Sequence, residues 1–104
     1  MTDLLGEARK ISEMEILQAK AAAGDDIAKL KLGYYHAIGI NPNYGETIKI
    51  FEELSQKNIP EAQYNLGIMY LYGCGIERNE NKAIKMFEKA DENGLDYAKI
   101  FLYI

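Results

Sequence analysis

The chain has 104 residues, of which 48% are apolar and 27% are charged, a balance that favours one globular domain over a disordered chain. Its net charge of −4 is spread evenly, because residues 1–52 and residues 53–104 each contain six basic and eight acidic side chains. The longest run of basic residues is Arg9-Lys10, which argues against nucleic acid as a partner because phosphate binding needs a basic stripe.

Cysteine content and hydropathy argue against a secreted or membrane protein. The single cysteine, Cys74, cannot form an internal disulfide, so nothing points to an oxidising compartment. The residues up to Ile11 include four charged side chains and lack the apolar core of a signal peptide. No apolar run approaches the roughly 18 residues that a membrane span needs. We therefore expect a soluble, cytoplasmic protein.

Helical periodicity runs through the chain from about residue 12. Ala62, Leu66 and Tyr70, for example, are spaced at i, i+4 and i+8, and no segment shows the sustained alternation of a β-strand. The pattern predicts helices at residues 12–23, 26–38, 45–57, 60–72, 80–93 and 95–104, with residues 2–11 as a further short helix.

Residues suited to helix ends stand at these boundaries. Ser12 with Glu15 has the spacing of a capping box. One aspartate of the pair Asp25-Asp26 suits the N-terminus of the next helix. The other boundary residues are an N-cap asparagine, a first-turn proline and three residues suited to a left-handed C-terminus: Asn79, Pro60, Gly24, Asn58 and Gly94.

The chain contains an internal repeat. Residues 28–39 recur at residues 62–73, 34 positions later, and residues 48–52 recur as residues 84–88, 36 positions later. Each repeat thus contains a pair of helices. We predict a single repeat domain over residues 1–104, divided into the second helix of a partial repeat, two full repeats and the first helix of another partial repeat: 12–24, 25–59, 60–94 and 95–104.

Two glycines lie inside predicted first helices. Gly33 and Gly67 are repeat-related, and a glycine within a helix costs about 1 kcal/mol relative to alanine. Because glycine has no Cβ, it lets a neighbouring helix approach the backbone closely. We therefore predict that both glycines lie where the two helices of a repeat cross.

The second repeat contains the pattern A-x-x-x-L-G-x-x-Y-x-x-G-x-G, followed by K-A, an aromatic residue, K-A and a glycine, between Ala62 and Gly94. This pattern resembles the Sel-one-like repeat family, over about residues 12–104. The resemblance implies an all-α fold, a short α-solenoid of antiparallel helix pairs similar to tetratricopeptide repeats. It also implies a scaffold, adaptor or regulator that binds other proteins. The first repeat departs from the pattern at His36, Asn41, Thr47, Leu54 and Asn58.

No constellation of catalytic or metal-binding residues accompanies the repeats. The run Gly73-Cys74-Gly75 lacks the preceding strand and the third glycine of a phosphate-binding loop, and we interpret it as a turn between helices. Cys74 has no histidine placed by sequence to activate it, and His36 has no second ligand at metal spacing. We expect a protein that is not an enzyme and needs no cofactor or metal.

The tyrosines are the most informative residues for binding. In the related tetratricopeptide repeats, fixed positions of each first helix line a concave face, and the resemblance places this face on the present chain. The predicted partner-binding residues are Tyr34, Ile38, Tyr64, Ile68, Tyr72, Tyr97 and Ile100, with Ile27, Leu30, Glu61 and Leu71 beside them and Phe101 in the last helix. The alternative is that tight superhelical packing buries several of them. Tyr35 and Tyr70 are assigned to the core.

Two functions fit this description. The first is an adaptor whose apolar, tyrosine-rich groove binds a partner protein. The second is an immunity or antitoxin-like protein that neutralises a toxin, such as a basic nuclease, by direct binding, since opposite charges accelerate association.

The last predicted helix leaves one apolar side, formed by Ile100, Phe101 and Ile104, without a neighbour in the sequence pattern. An exposed apolar patch usually marks an association surface. We expect a second copy of the chain, as a homodimer, or the partner to cover it. Residues 2–11 or the rest of a longer natural chain are the alternatives.

Overall fold

The structure, a computed structural model, describes residues 12–38 and 41–102, and the side chains of residues 13–38 and 41–99. Within these ranges it contains helices and no strand, which confirms the predicted all-α fold. The elements are α1 (Ser12–Ala22), α2 (Asp26–Ala37), α3 (Tyr44–Gln56), α4 (Pro60–Tyr72), α5 (Glu80–Glu92) and a 3-10 helix (Asp96–Leu102).

Side-chain caps start α2 and α5. Asp25 accepts a hydrogen bond from the backbone N–H of Ala28 at 3.1 Å, so it is the N-cap of α2. Asn79 does the same for Lys82 at 3.0 Å and starts α5. These contacts satisfy N–H groups that have no partner inside the helix. Both caps agree with the sequence.

Left-handed residues end the helices where the sequence predicts them. Gly24 and Gly94 have φ angles of 100° and 102°, a region that glycine enters without steric cost. Asn58 has a φ of 61° at the end of α3 and replaces glycine there. Gly73, with a φ of 70°, ends α4 and turns the chain toward α5, as expected for a turn rather than a phosphate-binding loop.

The helices pack in chain order, each chiefly on the next one in the sequence. The result is an elongated molecule of 59 × 27 × 20 Å. One core cluster lies between α3 and α4 and consists of Phe51, Leu54, Ala62, Leu66 and Met69, none more than 6% exposed. A second cluster joins α1 to α2.

The two repeat-related glycines receive the rings of two buried phenylalanines. A Cβ added to Gly33 would lie 2.5 Å from a ring carbon of Phe51, and one added to Gly67 would lie 2.6 Å from the equivalent atom of Phe87. Both rings are almost completely buried, at 2% and 1% exposure. The predicted close approach is therefore confirmed, and the group that approaches is an aromatic ring of the second helix.

One expectation from the sequence is wrong. Tyr35 was assigned to the core but is 43% exposed. The neighbouring helix presents Leu17, which is smaller than the phenylalanines at the equivalent positions of α3 and α5, so the space beside Tyr35 stays open. The last predicted helix is present, and it is a 3-10 helix, whose tighter turns are common in short helical segments.

Some predictions fall outside the described residues. These are the short helix at residues 2–11, the side chain of Ser12 in the capping box, and the apolar side chains of the last helix, Ile100, Phe101 and Ile104. None of the helices in the described part is both long and apolar enough to cross a lipid bilayer.

Candidate protein-binding face

The first helices of successive repeats place a row of tyrosines on one side of the molecule. Tyr34 lies on α2, Tyr64 and Tyr72 lie on α4, and Tyr97 lies on the 3-10 helix. Their exposed fractions are 38% for Tyr34, 67% for Tyr72 and 54% for Tyr97, while Tyr64 is half-buried. We call these four residues, with Ile38 and Ile68, the tyrosine face.

The aliphatic members of the face are accessible as well. Ile38 follows α2 and is 64% exposed, and Ile68 on α4 is half-buried. Of the predicted partner-binding residues whose side chains are described, none is buried. Tyr64, Ile68, Leu30 and Leu71 are half-buried, so the alternative in which packing buries several of these residues stays a prediction beside the binding face. Ile100 and Phe101 are predicted members whose side chains lie outside the described part.

Tyr34 is held by contacts along one edge of its ring and at its hydroxyl. The ring meets that of Phe51 edge-on, with centroids 5.5 Å apart and planes at 67°. The amide of Asn65 donates a hydrogen bond to the Tyr34 hydroxyl at 2.9 Å and another to the backbone carbonyl of Glu61 at 2.6 Å. Tyr34 is thereby fixed across the junction between α2 and α4.

Tyr64 joins α4 to the 3-10 helix through Tyr97. Its ring meets that of Tyr97 edge-on, with centroids 4.9 Å apart and planes at 85°. It also contacts the ring of the buried Phe87, with centroids 5.7 Å apart. Such tilted and edge-on arrangements are the favoured geometries of aromatic pairs and contribute about 0.5–1.5 kcal/mol beyond burial. The aromatic side chains are therefore ordered before any partner binds.

Two hydroxyl groups of the face lie in an environment that disfavours ionisation. Partial burial raises the pKa of Tyr34 above its ordinary value, with smaller contributions in the same direction from Tyr97 and Glu61, while the hydrogen bond from Asn65 opposes them. Partial burial also raises the pKa of Tyr64, as do Tyr97 and Tyr72 nearby. Both tyrosines are neutral donors and acceptors at physiological pH.

Two open grooves adjoin the face. One, of about 570 Å³, lies between α1 and α2 and includes Ile16, Tyr34 and Ile38 in its lining. The other, of about 450 Å³, lies between the first turns of α2 and α4 and includes the exposed Ile27 and the half-buried Glu61. Both volumes are in the range that accommodates a few side chains of a bound segment.

Sequence reasoning missed the polar residues that fix the helices behind the face. Gln63 is completely buried, donates to the backbone carbonyl of Ser55 at 3.2 Å and accepts from the amide of Asn93 at 2.9 Å. It thus joins α3, α4 and the end of α5. Its equivalent in the first repeat, 34 residues earlier, is Lys29, which pairs with Glu53 at 2.8 Å instead. The repeat pattern contains no signal for this difference.

The described side chains do not gather ligands for a metal. No group of three or more histidine, cysteine, aspartate or glutamate residues occurs among them in metal-binding geometry. Cys74 is partly buried beside the core, and His36 is partly buried at the end of α2.

The sequence model of the Sel1 repeat family matches residues 27–58 and 60–95, the stretches that contain α2 with α3 and α4 with α5. This chain belongs to the Sel1 repeat family. Sel1 repeats generally mediate contacts between proteins, and Sel1 repeat proteins are generally non-catalytic scaffolds. No curated protein matches the chain as a whole.

Two solved Sel1-type structures are similar in fold. A Sel1 repeat protein from Oxalobacter formigenes aligns with a TM-score of 0.77 and 24% sequence identity, over 86% of this chain and 37% of its own. A protective antigen present in uropathogenic Escherichia coli strains, which displays an SLR fold, aligns with a TM-score of 0.76 and 27% identity, over 85% of this chain and 19% of its own. The chain therefore spans well under half the length of either neighbour.

Proposed function

We propose that this Sel1 repeat chain is a non-enzymatic interaction module, an adaptor or regulator that binds a segment of a partner protein on the tyrosine face. The observation that carries the proposal is that four accessible tyrosines lie together on three successive first helices. Two of these tyrosines, Tyr64 and Tyr97, contact each other through their rings. Tyrosine is enriched at the energetic centres of protein interfaces, because it combines a large apolar surface with a polar end.

The geometry of the face supports binding at low entropic cost. Tyr34 is held by Asn65 and the ring of Phe51, and Tyr64 is held by Tyr97, so these rings lose little freedom when a partner covers them. An ordered side chain avoids the roughly 0.5–1.5 kcal/mol that immobilising a flexible one costs. The grooves at either side offer room for the partner's apolar side chains.

The proposal is tested by selecting binders and mapping where they sit. Short random peptides displayed on phage are selected on the whole chain, and the affinity of the best peptide is measured by calorimetry. The double substitution Tyr34→Ala with Ile68→Ala removes one aromatic and one aliphatic member of the face. We expect it to weaken binding at least tenfold, because hot-spot residues each contribute about 2 kcal/mol or more.

A matched control separates loss of binding from loss of structure. Met14→Ala with Ile84→Ala removes two large apolar side chains from exposed positions that belong neither to the face nor to the grooves beside it. This variant should bind like the wild type, and circular dichroism should show both variants to be folded. Equal affinities for the face variant and the wild type would rule out the tyrosine face as the binding surface.

The acidic balance of the chain supports a second candidate, an immunity or antitoxin-like protein that neutralises a basic toxin such as a nuclease. A net charge of −4 favours fast association with a basic surface. A toxin gene directly upstream of the gene for this chain, and inhibition of that toxin by the purified chain, would support this candidate. If an excess of the chain leaves the activity of the toxin unchanged, the immunity candidate is excluded.

Three further expectations stay predictions within this proposal. We infer that the partner is a protein and not nucleic acid or a membrane, that the chain acts in the cytoplasm, and that a homodimer forms through the last helix. The even spread of acidic residues supports the first.

A further inference from the structure

A third recess, separate from the two grooves beside the tyrosine face, lies on the opposite side of α4. It has a volume of about 530 Å³ and is bounded by α3, α4 and α5. Leu66 and Tyr70 contribute to it from α4, whereas Tyr64 and Ile68 belong to the tyrosine face. Residues two positions apart on a helix point about 200° apart, so the two surfaces face away from each other.

Three lysines of α5 line this recess. Lys82, Lys85 and Lys89 lie at i, i+3 and i+7, which places them on one stripe of the helix over a length of about 10 Å. All three side chains are exposed. The ammonium of Lys82 lies 5.6 Å from the centre of the Tyr70 ring, a cation–π contact that fixes one end of the stripe. We call these residues the lysine stripe.

The ammonium groups of the lysine stripe are not held in ion pairs within the described part of the chain. None of its members forms an ion pair there, although Lys29 pairs with Glu53 at 2.8 Å and Lys57 with Asp26 at 2.9 Å. Among the residues lining the recess, Glu52 is the single acid. Three ammonium groups outside the described ion pairs therefore lie side by side in a protein with a net charge of −4.

The stripe is not a general consequence of the repeat. At an offset of 36, the equivalent residues of α3 are Glu46, Lys49 and Glu53, so the same surface of the first repeat has mixed charge. The groups beside the lysines are also suited to an acidic ligand. Ser55, Gln56 and Tyr70 supply hydroxyl and amide donors, and Met86 and Leu66 provide an apolar floor.

We propose that the lysine stripe binds an acidic segment of a partner protein, with carboxylates placed opposite the three ammonium groups. A stretch of about three residues in an extended chain, or two turns of a helix, spans the same 10 Å. A nucleic acid fits less well, because its phosphates continue past the stripe and would meet the exposed Glu80, Glu88 and Glu92 at either end and alongside it. This surface is separate from the one assigned to the proposed function.

The test compares charged and neutral probes on the whole chain. Fluorescence anisotropy measures binding of a labelled oligoglutamate peptide and of an oligoglutamine peptide of the same length, at low and at physiological salt. The variant Lys82→Gln, Lys85→Gln, Lys89→Gln removes the stripe. The matched control, Lys20→Gln, Lys31→Gln, Lys49→Gln, removes three exposed lysines that form no ion pair in the described chain.

Both triple variants lower the net charge by three, so they share any effect of the overall field. We expect the stripe variant to bind oligoglutamate about tenfold more weakly than the wild type, and the control to stay within about twofold. The wild-type affinity should fall as salt rises. The variant Tyr34→Ala, Ile68→Ala should bind oligoglutamate like the wild type, which separates this surface from the tyrosine face.

Several results would overturn the inference. One is binding of oligoglutamate no tighter than that of oligoglutamine. Another is an equal loss of affinity in the two triple variants, which would indicate a field effect without a site. A third is oligothymidylate binding that is as tight as oligoglutamate binding and equally sensitive to loss of the stripe, which would assign the surface to nucleic acid.

Discussion

The contact between Gly67 and Phe87 predicts that replacing Gly67 by alanine destabilises the protein, whereas the same change elsewhere in a helix normally stabilises it. Alanine within a helix is favoured over glycine by about 1 kcal/mol. At Gly67, however, a new Cβ would lie 2.6, 2.8 and 2.9 Å from three ring carbons of Phe87. That ring is 1% exposed and has no open space into which it can swing.

The two effects can be weighed against each other. Overpacking a well-filled core costs about 1–3 kcal/mol, which exceeds the helical gain. We therefore expect Gly67→Ala to lower the free energy of unfolding by about 1 kcal/mol and Gly67→Leu to lower it by about 3 kcal/mol or more. For a chain of this size, a loss of 1 kcal/mol lowers the melting temperature by roughly 4–8 °C.

Urea and thermal unfolding followed by circular dichroism provide the assay, with two matched variants. Gly45→Ala adds a Cβ whose nearest neighbour, Oδ1 of Asn43, is 3.5 Å away, so it should raise stability or leave it unchanged. In a Phe87→Leu background the ring is gone, and Gly67→Ala should then stabilise. The reasoning is wrong if Gly67→Ala alone raises the midpoint as Gly45→Ala does.

Further predictions concern the interior, the tyrosines and the last helix. Gln63→Met should cost about 1–3 kcal/mol in urea unfolding, because the amide of Asn93 and a backbone carbonyl lose their buried partner; an unchanged midpoint would contradict this. In an alkaline absorbance titration, Tyr34→Phe and Tyr64→Phe should each remove a component that ionises later than the ordinary tyrosine value of 10.0. Because the pKa values of the two tyrosines are raised in the folded protein, the stability they contribute is full below about pH 10 and is lost as the pH rises through the folded values. If either substitution removes a component that ionises below pH 10, the predicted direction of the pKa shift is wrong. If the predicted homodimer forms, sedimentation equilibrium should detect a dimer that dissociates on Phe101→Glu, whereas a monomer at high concentration would exclude it.

The elements that the sequence predicted well are governed by local rules. Asp25 and Asn79 cap helices because their side chains reach the backbone three residues ahead, and that spacing is visible in the sequence. Gly33 and Gly67 were recognisable because a glycine in a helix needs a compensating contact. The contacting residues, Phe51 and Phe87, occupy equivalent positions in the two repeats.

Where sequence reasoning failed, the outcome depended on neighbours distant in the chain. The exposure of Tyr35 follows from the small Leu17 on α1, and the role of Gln63 depends on α5, about 30 residues later. The lysine stripe was not recognised because other residues, Glu88 among them, separate its lysines in the sequence and only the helix brings them together. Which tyrosines of the face are held by their neighbours depends on the distances between rings on different helices, and the sequence does not give these distances.

The packing of each helix on the next also determines how the chain responds to force and to changes in its length. Most contacts between the described helices join neighbours in the sequence, so the entropic cost of closing loops is low and folding should be fast. A repeat could be duplicated or deleted without disturbing contacts elsewhere. Under tension applied at its two ends, the molecule should extend stepwise, one helix pair at a time, while the remaining pairs keep their structure.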